Sequence, residues 1–240
     1  MSKDISTEIK AFQIFGLQLY HHQSSIKIGT DAVLLSAAIR RFCTAERILD
    51  VGCGCGIIGL AYLKKHLQTF LTGLDIHMPS IYQSAENARI NNLTGRTKFL
   101  CLDFLAFDTD LSIDLIVSNP PFFQNQLHSP QSARNNARHG DKNLPIHRLI
   151  GKAGVIRPKE LVLILPAQDK SMVVALAEFN RFYVFREILV FSKPNSGQPI
   201  RIILFFSGQK SGKTVEKLSL VIRNEDNSQS TQYLNFVYDS

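Results

Sequence analysis

Four consecutive residues, Asn119-Pro120-Pro121-Phe122, follow a mainly apolar run over 113–118 and carry the clearest chemistry in this sequence. The run predicts a buried strand, so the four residues stand at its carboxyl end, where open α/β sheets bind their ligands. Two successive prolines stiffen the backbone and prevent a helix there. An amide oxygen and a backbone carbonyl accept hydrogen bonds from an exocyclic amino group, and an aromatic ring stacks on the base that carries it. The motif therefore predicts a site for a planar amine or amide.

A glycine-rich loop precedes this motif, with Asp50, Gly52, Gly54 and Gly56 at alternate positions between an apolar strand and an apolar helix. Such glycines let the backbone turn tightly and approach a ligand closely, because no Cβ intrudes. No Lys-Ser/Thr pair follows the last glycine, which excludes a phosphate-binding P-loop. A carboxylate at Asp50 would also repel a diphosphate. The loop predicts a ligand that carries a positive charge or many hydrogen-bond donors.

Strand and helix patterns alternate around these motifs, which predicts a mostly parallel, doubly wound sheet. An alternating segment over 11–20 predicts a β-hairpin, and a helix begins at Gly29-Thr30-Asp31 with Thr30 or Asp31 as its N-cap. The segment 123–144 has no periodicity and is expected to order over the substrate. The predicted core strands lie near 47–51, 70–75, 97–102, 113–118, 160–165, 182–191 and 200–207, with helices near 56–65, 79–91 and 145–155.

Composition bounds the class of protein. A chain of 240 residues with 45% hydrophobic content can form one domain over 1–240, with a hairpin and helix extension over 1–45 and a catalytic core over 46–240. No apolar run reaches the roughly 18–20 residues that a membrane span needs, and the N-terminus has no apolar signal core. The four cysteines form no C-x-x-C pair, which argues against a metal site. We expect a cytoplasmic monomer without a metal.

The D-x-G-x-G-x-G loop, an acidic residue ending the next strand, and N-P-P-F together resemble a class I S-adenosylmethionine-dependent methyltransferase of the N-P-P-[FY] branch. The resemblance implies a Rossmann-like three-layer α/β/α sandwich, with a seven-stranded, mostly parallel sheet and an antiparallel edge. It also implies that Asp50 and the three loop glycines bind the cofactor. Asp75 would accept from the cofactor's ribose hydroxyls, and Asp103 from its adenine amino group.

Further segments, over 27–35 and 133–139, resemble the bacterial tRNA1(Val) adenine-37 N6-methyltransferase family. This implies methyl transfer to an adenine in the anticodon loop, with Lys27, Thr30, Asp31 and Asn119 also at the cofactor. Thr30 and Asp31 could cover the cofactor or steer the target amine, or only cap their helix.

The implied reaction needs positioning more than a strong base. The Asn119 side-chain oxygen and the Pro120 carbonyl would accept from the adenine amino group and aim its lone pair at the methyl group, while Phe122 stacks on the base. The nitrogen loses its proton only from the cationic product. Pro120 and Pro121 hold the loop, and all four motif residues count as catalytic candidates.

Positive charge is concentrated after this motif. Residues 1–120 contain 11 Lys/Arg and 11 Asp/Glu, whereas residues 121–240 contain 16 and 9, which accounts for the whole formal net charge of +7. This balance favours a polyanion held beside the site, although a solvated basic surface is the alternative. The basic cluster consists of Arg134, Arg138, His139, Lys142, His147, Arg148 and Lys152. We take Arg134, Arg138, His139 and Lys142 as the candidate contacts to the anticodon stem-loop.

Other functions share the N-P-P motif. A protein-glutamine N5-methyltransferase acting on release factors has the same target chemistry, but only about 45 residues precede the core here, too few for the helical domain expected of such enzymes. A ribosomal RNA guanine-N2 methyltransferase is usually larger. A cofactor-binding module without catalysis is disfavoured because Asn119 and the three loop glycines are all present.

Overall fold

The computed structural model describes three stretches of the chain, residues 10–120, 144–210 and 212–240. The predicted hairpin is confirmed, because β1 (Phe12–Ile14) pairs antiparallel with β2 (Leu17–Leu19). Phe15 and Gly16 form its turn with φ of 54° and 70°, the positive values that a type I′ turn requires. The described chain has no helix that combines the length and the apolar character needed to cross a membrane.

Helix α1 (Thr30–Phe42) follows the hairpin and buries residues 32–39 without interruption. Its N-cap is Gly29, in an extended conformation, so the predicted capping by Thr30 or Asp31 is wrong. The reason is that Thr30 is already the first helical residue. The carboxylate of Asp31 makes a long-range ion pair instead, with Arg201.

The predicted mostly parallel sheet is confirmed, and its strands follow the hairpin in chain order. They are β3 (Arg47–Val51), β4 (Phe70–Asp75), β5 (Thr97–Cys101), β6 (Leu115–Ser118), β7 (Glu160–Pro166), β8 (Tyr183–Phe191), β9 (Arg201–Ser207) and β10 (Glu216–Val221). Within the described chain these eight strands lie in the order β10-β8-β9-β7-β6-β3-β4-β5.

Two details of the predicted sheet are wrong. The sheet of the described residues has eight strands rather than seven, because β10 adds parallel to the outer side of β8. The antiparallel strand is not at the edge, since β9 inserts between β7 and β8 and runs opposite to both. The β8–β9 pair is a hairpin, which forces opposite directions on its strands, and the later β10 then covers its open side.

The helices form two layers on the sheet. One layer contains α1, α2 (Ile57–Lys65), α3 (Met78–Ile90) and α6 (Thr231–Tyr238), which contribute buried residues to one core. The other layer contains α4 (Ile146–Ile156) and α5 (Lys170–Phe179), which contribute to a second core. The sequence analysis missed α5, in which only Val173 and Ala177 are buried although most of its ten residues are apolar. The two cores on opposite faces give the predicted three-layer sandwich.

The carboxyl ends of the parallel strands place the chemical motifs on one edge of the sheet, which we call the ligand edge. Val51 of β3 lies opposite Ser118 of β6, so the glycine loop and Asn119 leave neighbouring strands at the same level. β7 and β9 extend further, because β6 ends opposite Leu163 while Pro166 still pairs with Arg201. The longer strands form a wall beside Asn119 and Pro120.

Candidate cofactor and substrate site

The glycine loop takes the conformation that its sequence predicts. Gly52, Gly54 and Gly56 have φ of 73°, 55° and 84°, a region that other residues rarely adopt. A Cβ at Gly56 would lie 3.1 Å from the Cβ of Ser84 and 3.2 Å from Cδ1 of Leu60. Glycine is therefore required at position 56 for space as well as for conformation.

Asp50 lies behind this loop and is fully buried. Its Oδ2 accepts from the backbone N–H of Gly59 at 3.0 Å, while its Oδ1 has no hydrogen-bond partner among the described residues. Burial raises the pKa of Asp50 from 3.8 to about 7, although the Gly59 bond opposes the shift. The carboxyl group thus ties β3 to the first turns of α2 and supports the loop from within the core.

Asp75 ends β4 and accepts two backbone hydrogen bonds. Its Oδ2 accepts from the N–H of Gly54 at 2.9 Å and its Oδ1 from the N–H of His77 at 2.8 Å. These bonds fix the carboxylate against the glycine loop. A carboxylate offers about four acceptor positions, so the same group is able to accept from ligand hydroxyls as well.

Asp103 follows β5, the next strand of the sheet beyond β4. Its side chain is exposed, and its Oδ1 accepts from the N–H of Leu105 at 2.9 Å, which caps a short 3-10 turn. Asp75 and Asp103 therefore stand at successive strand ends of the ligand edge, which is the spacing expected for two ends of one extended ligand.

A segment that sequence reasoning missed covers the glycine loop. We call residues 20–28 the strap. Its backbone is attached to α3: the N–H of Tyr20 donates to Asn87 Oδ1 at 2.8 Å, and that of Ser25 donates to Ser80 Oγ at 3.1 Å. Asn87 Nδ2 also donates to the carbonyl of Cys55 at 2.9 Å, which joins strap, helix and loop.

Ser24 is the strap residue nearest to the loop. Its Oγ lies 3.2 Å from the position that a Cβ would occupy at Gly54. The oxygen is buried and has no hydrogen-bond partner among the described residues. Buried polar atoms are nearly always paired in native proteins, so a hydroxyl in this position indicates a polar group of a ligand. The polar run around Ser24 carries no periodicity, so no sequence pattern pointed to this role.

Asn119 and Pro120 end β6 beside the loop, where Asn119 is half-buried and Pro120 is buried. The hydroxyl of Ser118 donates to the carbonyl of Val51 at 2.8 Å, which fixes the start of the motif against β3. The other residues of the motif and the four candidate RNA contacts lie outside the described residues: Pro121, Phe122, Arg134, Arg138, His139 and Lys142.

Lys27 lies near the end of the strap, and Thr30 and Asp31 are the first two residues of α1. Lys27 and Thr30 are exposed. Asp31 Oδ2 accepts from Arg201 Nε at 3.0 Å, which joins α1 to the first residue of β9 at the ligand edge. The ion pair lies at the β9 side of the wall formed by β7 and β9. Sequence reasoning could not find it, because 170 positions separate the two residues.

Comparison with known proteins decides the family. The sequence profile of the methyltransferase small domain family matches residues 21–145, which include all but the first residue of the strap, the glycine loop and the N-P-P-F motif. The chain belongs to this family. The methyltransferase is 32% identical over 212 residues to the tRNA1(Val) (adenine(37)-N6)-methyltransferase of Bacteroides fragilis, with 86% of this chain and 88% of the relative covered.

Solved structures support the same architecture for the methyltransferase. A predicted O-methyltransferase from Agrobacterium tumefaciens matches with a TM-score of 0.61 at 16% identity, covering 88% of this chain and 96% of that one. The Pyrococcus abyssi tRNA (uracil-54, C5)-methyltransferase, solved with S-adenosyl-L-homocysteine, matches with a TM-score of 0.54 at 17% identity, covering 82% and 43%. The predicted class I methyltransferase fold is therefore confirmed.

The cofactor of the methyltransferase is S-adenosyl-L-methionine. The site fits this group, since a Cβ at Gly52 would meet nothing within 4 Å, which leaves room for close backbone approach, and two carboxylates stand at the next strand ends. The unpaired Ser24 hydroxyl adds a polar partner above the loop. Within the described chain, no group of three or more His, Cys, Asp or Glu side chains is arranged to hold a metal ion.

Proposed function

We propose that this methyltransferase methylates N6 of an adenine in tRNA, at position 37 in the anticodon loop of tRNA1(Val). The supporting observation is the register of β3 and β6, which sets Asn119 directly beside the glycine loop. An amide at that place suits an amino group that must approach the cofactor. The name of the Bacteroides fragilis relative gives the base and its position for that protein.

The cofactor side of the proposed site consists of main chain and carboxylates. The backbone of Gly52, Gly54 and Gly56 would lie against the ligand, Asp75 would accept from its ribose hydroxyls, and Asp103 would accept from its adenine amino group. Asp50 would act indirectly by holding the loop, because its side chain is fully buried. Bound S-adenosylmethionine supplies a methyl group that the sulfonium charge makes electrophilic.

The strap and the start of α1 would complete the cofactor side. The hydroxyl of Ser24 is proposed to bond a polar group of the cofactor, and the exposed side chains of Lys27 and Thr30 are proposed to contact the cofactor as well. Asp31 would act on the substrate side of the ligand edge rather than as a helix cap, because it forms an ion pair with Arg201, the first residue of β9.

The base side is proposed to consist of the N-P-P-F motif. The Asn119 side-chain oxygen and the Pro120 carbonyl would accept the two N6 hydrogens and hold the nitrogen at the strand end, while Pro121 limits backbone motion. Stacking on Phe122 would contribute roughly 1–3 kcal/mol. A target in a loop is already unpaired, so its extrusion costs less than flipping a base out of a duplex. Positioning then supplies most of the rate acceleration.

The RNA is proposed to lie along the basic second half of the chain. Arg134, Arg138, His139 and Lys142 remain predicted contacts to the anticodon stem-loop. We further propose that the enzyme works as a cytoplasmic monomer without a metal ion, because the methyl group needs no Lewis acid to become electrophilic. Light scattering of the purified protein would test the monomer, and unchanged turnover in a chelator would support metal independence.

The test uses purified protein, labelled S-adenosylmethionine and total tRNA from a strain that lacks this gene, followed by nucleoside mass spectrometry. Appearance of N6-methyladenosine is expected, and fragmentation of the tRNA would then map its position. Parallel reactions replace the tRNA by release-factor protein or by ribosomal RNA. Label in the protein would favour the glutamine alternative, and methylated guanosine in the ribosomal RNA would favour the guanine alternative. The Asn119→Ala protein serves as the inactive control.

A further inference from the structure

Helix α4 carries positive charge away from the ligand edge. It begins at Ile146, just after the segment that follows the N-P-P motif, and it ends before β7, whose first residue pairs with the first residue of β6. It therefore crosses from the ligand edge to the opposite edge of the sheet. Its 11 residues span about 16 Å. Between Lys142 and Lys159 the sequence contains no Asp or Glu.

The outer face of α4 presents this charge to solvent. His147 and Arg148 are exposed in the first turn, Lys152 is half-buried one turn later, and Arg157 is exposed where the helix ends. The opposite face is the one that carries the buried apolar residues of the second core, such as Leu149 and Ala153. A helix with cations spaced along one side is suited to a ligand with repeated negative charge.

A groove of about 840 Å³ lies where α4 ends. The C-terminal ends of α4 and α5 meet there, since a Cβ at Gly154 would lie 3.3 Å from the Cβ of Asn180. Arg157 and Arg181 line the groove just after the two helices, with φ of 56° and 63°. Phe179, which is 87% exposed, lines the same groove. An aromatic ring beside cations is the usual composition of a platform for single-stranded nucleic acid.

Negative groups also lie near the groove. Asp114 is paired with Lys159 at 2.7 Å. Burial raises the pKa of Glu160, and the charge of Arg186 opposes the shift. The exposed carboxylate of Glu178 and the ends of the two helices, with about half a negative charge each, offset the charges of Arg157 and Arg181. The excess positive charge of this surface therefore comes from Arg148 and Lys152 along α4.

We propose that α4 and this groove form a track for single-stranded RNA that leads away from the active site. We call Arg148, Lys152, Arg157 and Phe179 the track. The three cations bind successive phosphates of the loop that carries the target base, and Phe179 stacks on a base further along. The inference rests on the proposed RNA substrate. It adds a binding surface that runs along α4 to the end of the helix furthest from the ligand edge. It also explains why the charge continues beyond the catalytic loop.

The first test compares two triple variants with equal loss of charge. The track variant is Arg148→Gln, Lys152→Gln and Arg157→Gln. The control variant is Arg41→Gln, Lys64→Gln and Arg89→Gln, which removes two arginines and one lysine from exposed positions on the helices of the other layer. Binding of a labelled single-stranded oligonucleotide with the anticodon-loop sequence is measured by anisotropy over a series of salt concentrations.

The slope of log K against log salt is expected to fall by about 2 in the track variant, since each lost phosphate contact removes about 0.7. The control variant should keep the wild-type slope. Equal slopes in the two variants would overturn the proposal, whether both fall or both stay. Both proteins should bind S-adenosylmethionine as the wild type does, which shows that they are folded.

The second test addresses the stacking platform. Phe179→Ala should weaken oligonucleotide binding by roughly 5- to 150-fold, and Phe179→Leu should lose most of the same affinity, because stacking requires the ring. Wild-type affinity in Phe179→Leu would remove Phe179 from the track. A wild-type protein that binds the oligonucleotide but methylates no tRNA would refute the proposed function alone. A track variant with wild-type binding and methylation would refute the track alone.

Discussion

The cofactor side and the substrate side of the ligand edge offer different groups to their ligands. On the cofactor side, three glycines with positive φ and two backbone N–H bonds to Asp75 fix the shape of the main chain. The half of the chain that carries them has balanced charge, with 11 basic and 11 acidic residues. On the substrate side, Asn119 offers a side-chain amide, and the half of the chain that follows Pro120 and carries the proposed RNA contacts has 16 basic residues against 9 acidic ones. A small cofactor of constant shape suits a fixed backbone, whereas a long polyanion suits charges spread over a surface.

The largest effect should come from Asn119, which stands where the two sides meet. Asn119→Ala is expected to lower the rate of methyl transfer by on the order of 10³-fold, because the amino group loses the acceptor that orients it. Cofactor affinity should stay within a few fold, since the amide serves the base. Single-turnover kinetics and calorimetry measure the two quantities, with Asn195→Ala as an exposed control. Retained turnover would refute the proposed role of Asn119.

Substitution of Gly56 should affect cofactor binding, which substitution of Asn119 leaves nearly unchanged. Gly56→Ala is expected to weaken cofactor binding by on the order of 100-fold and to lower the free energy of unfolding by about 1–3 kcal/mol. The cause is a strained φ of 84° and a contact of 3.1 Å with Ser84. Gly197→Ala is a matched control, because its φ is 67° with nothing within 4 Å of the added Cβ. Equal cofactor affinity of the two variants would contradict the predicted need for glycine at position 56.

Asp50 makes the cofactor side sensitive to pH in the ligand-free protein. Its pKa is about 7 in the folded chain against an ordinary value of 3.8, so the folded state binds more protons between these two values. The free energy of unfolding should therefore fall as pH rises from about 4 to 7, by about 1 kcal/mol per pH unit from this group. Denaturant titrations at several pH values measure the slope, and Asp50→Asn should remove it. An unchanged slope in that variant would assign the effect to another group.

Substitution of Ser24 should have the smallest effect on function, and it refines the comparison of the cofactor side with the substrate side. Ser24→Ala is expected to weaken cofactor binding by about 3- to 10-fold, the contribution of one hydrogen bond. Stability without the cofactor should not fall, since the buried hydroxyl has no partner among the described residues. Calorimetry and thermal melting measure the two, with Ser25→Ala as the neighbouring control. Reduced stability with unchanged affinity would make Ser24 a structural residue.

The fold was predictable where local pattern and burial agree. The apolar strands β3, β4 and β6 and the glycine loop follow from short stretches of sequence, and the structure confirms each of them. Helix α5 was missed because residues 172–177 form a short continuous apolar run, in which periodicity does not distinguish a helix from a strand. The insertion of β9 between β7 and β8 was also missed. Periodicity identifies a strand, but it does not say which neighbours the strand chooses.

The sequence by itself determined the chemistry of the ligand edge. Glycines at 52, 54 and 56 and the amide at Asn119 are local requirements, because a tight turn and a strand end depend on neighbouring residues only. Only the tertiary structure decided what surrounds them. The strap set Ser24 over Gly54, the ion pair joined Asp31 to Arg201, and the packing of α4 against α5 put Arg157 and Arg181 in the lining of one groove. These contacts join residues far apart in the chain, and burial and hydrogen bonding across the whole fold select them.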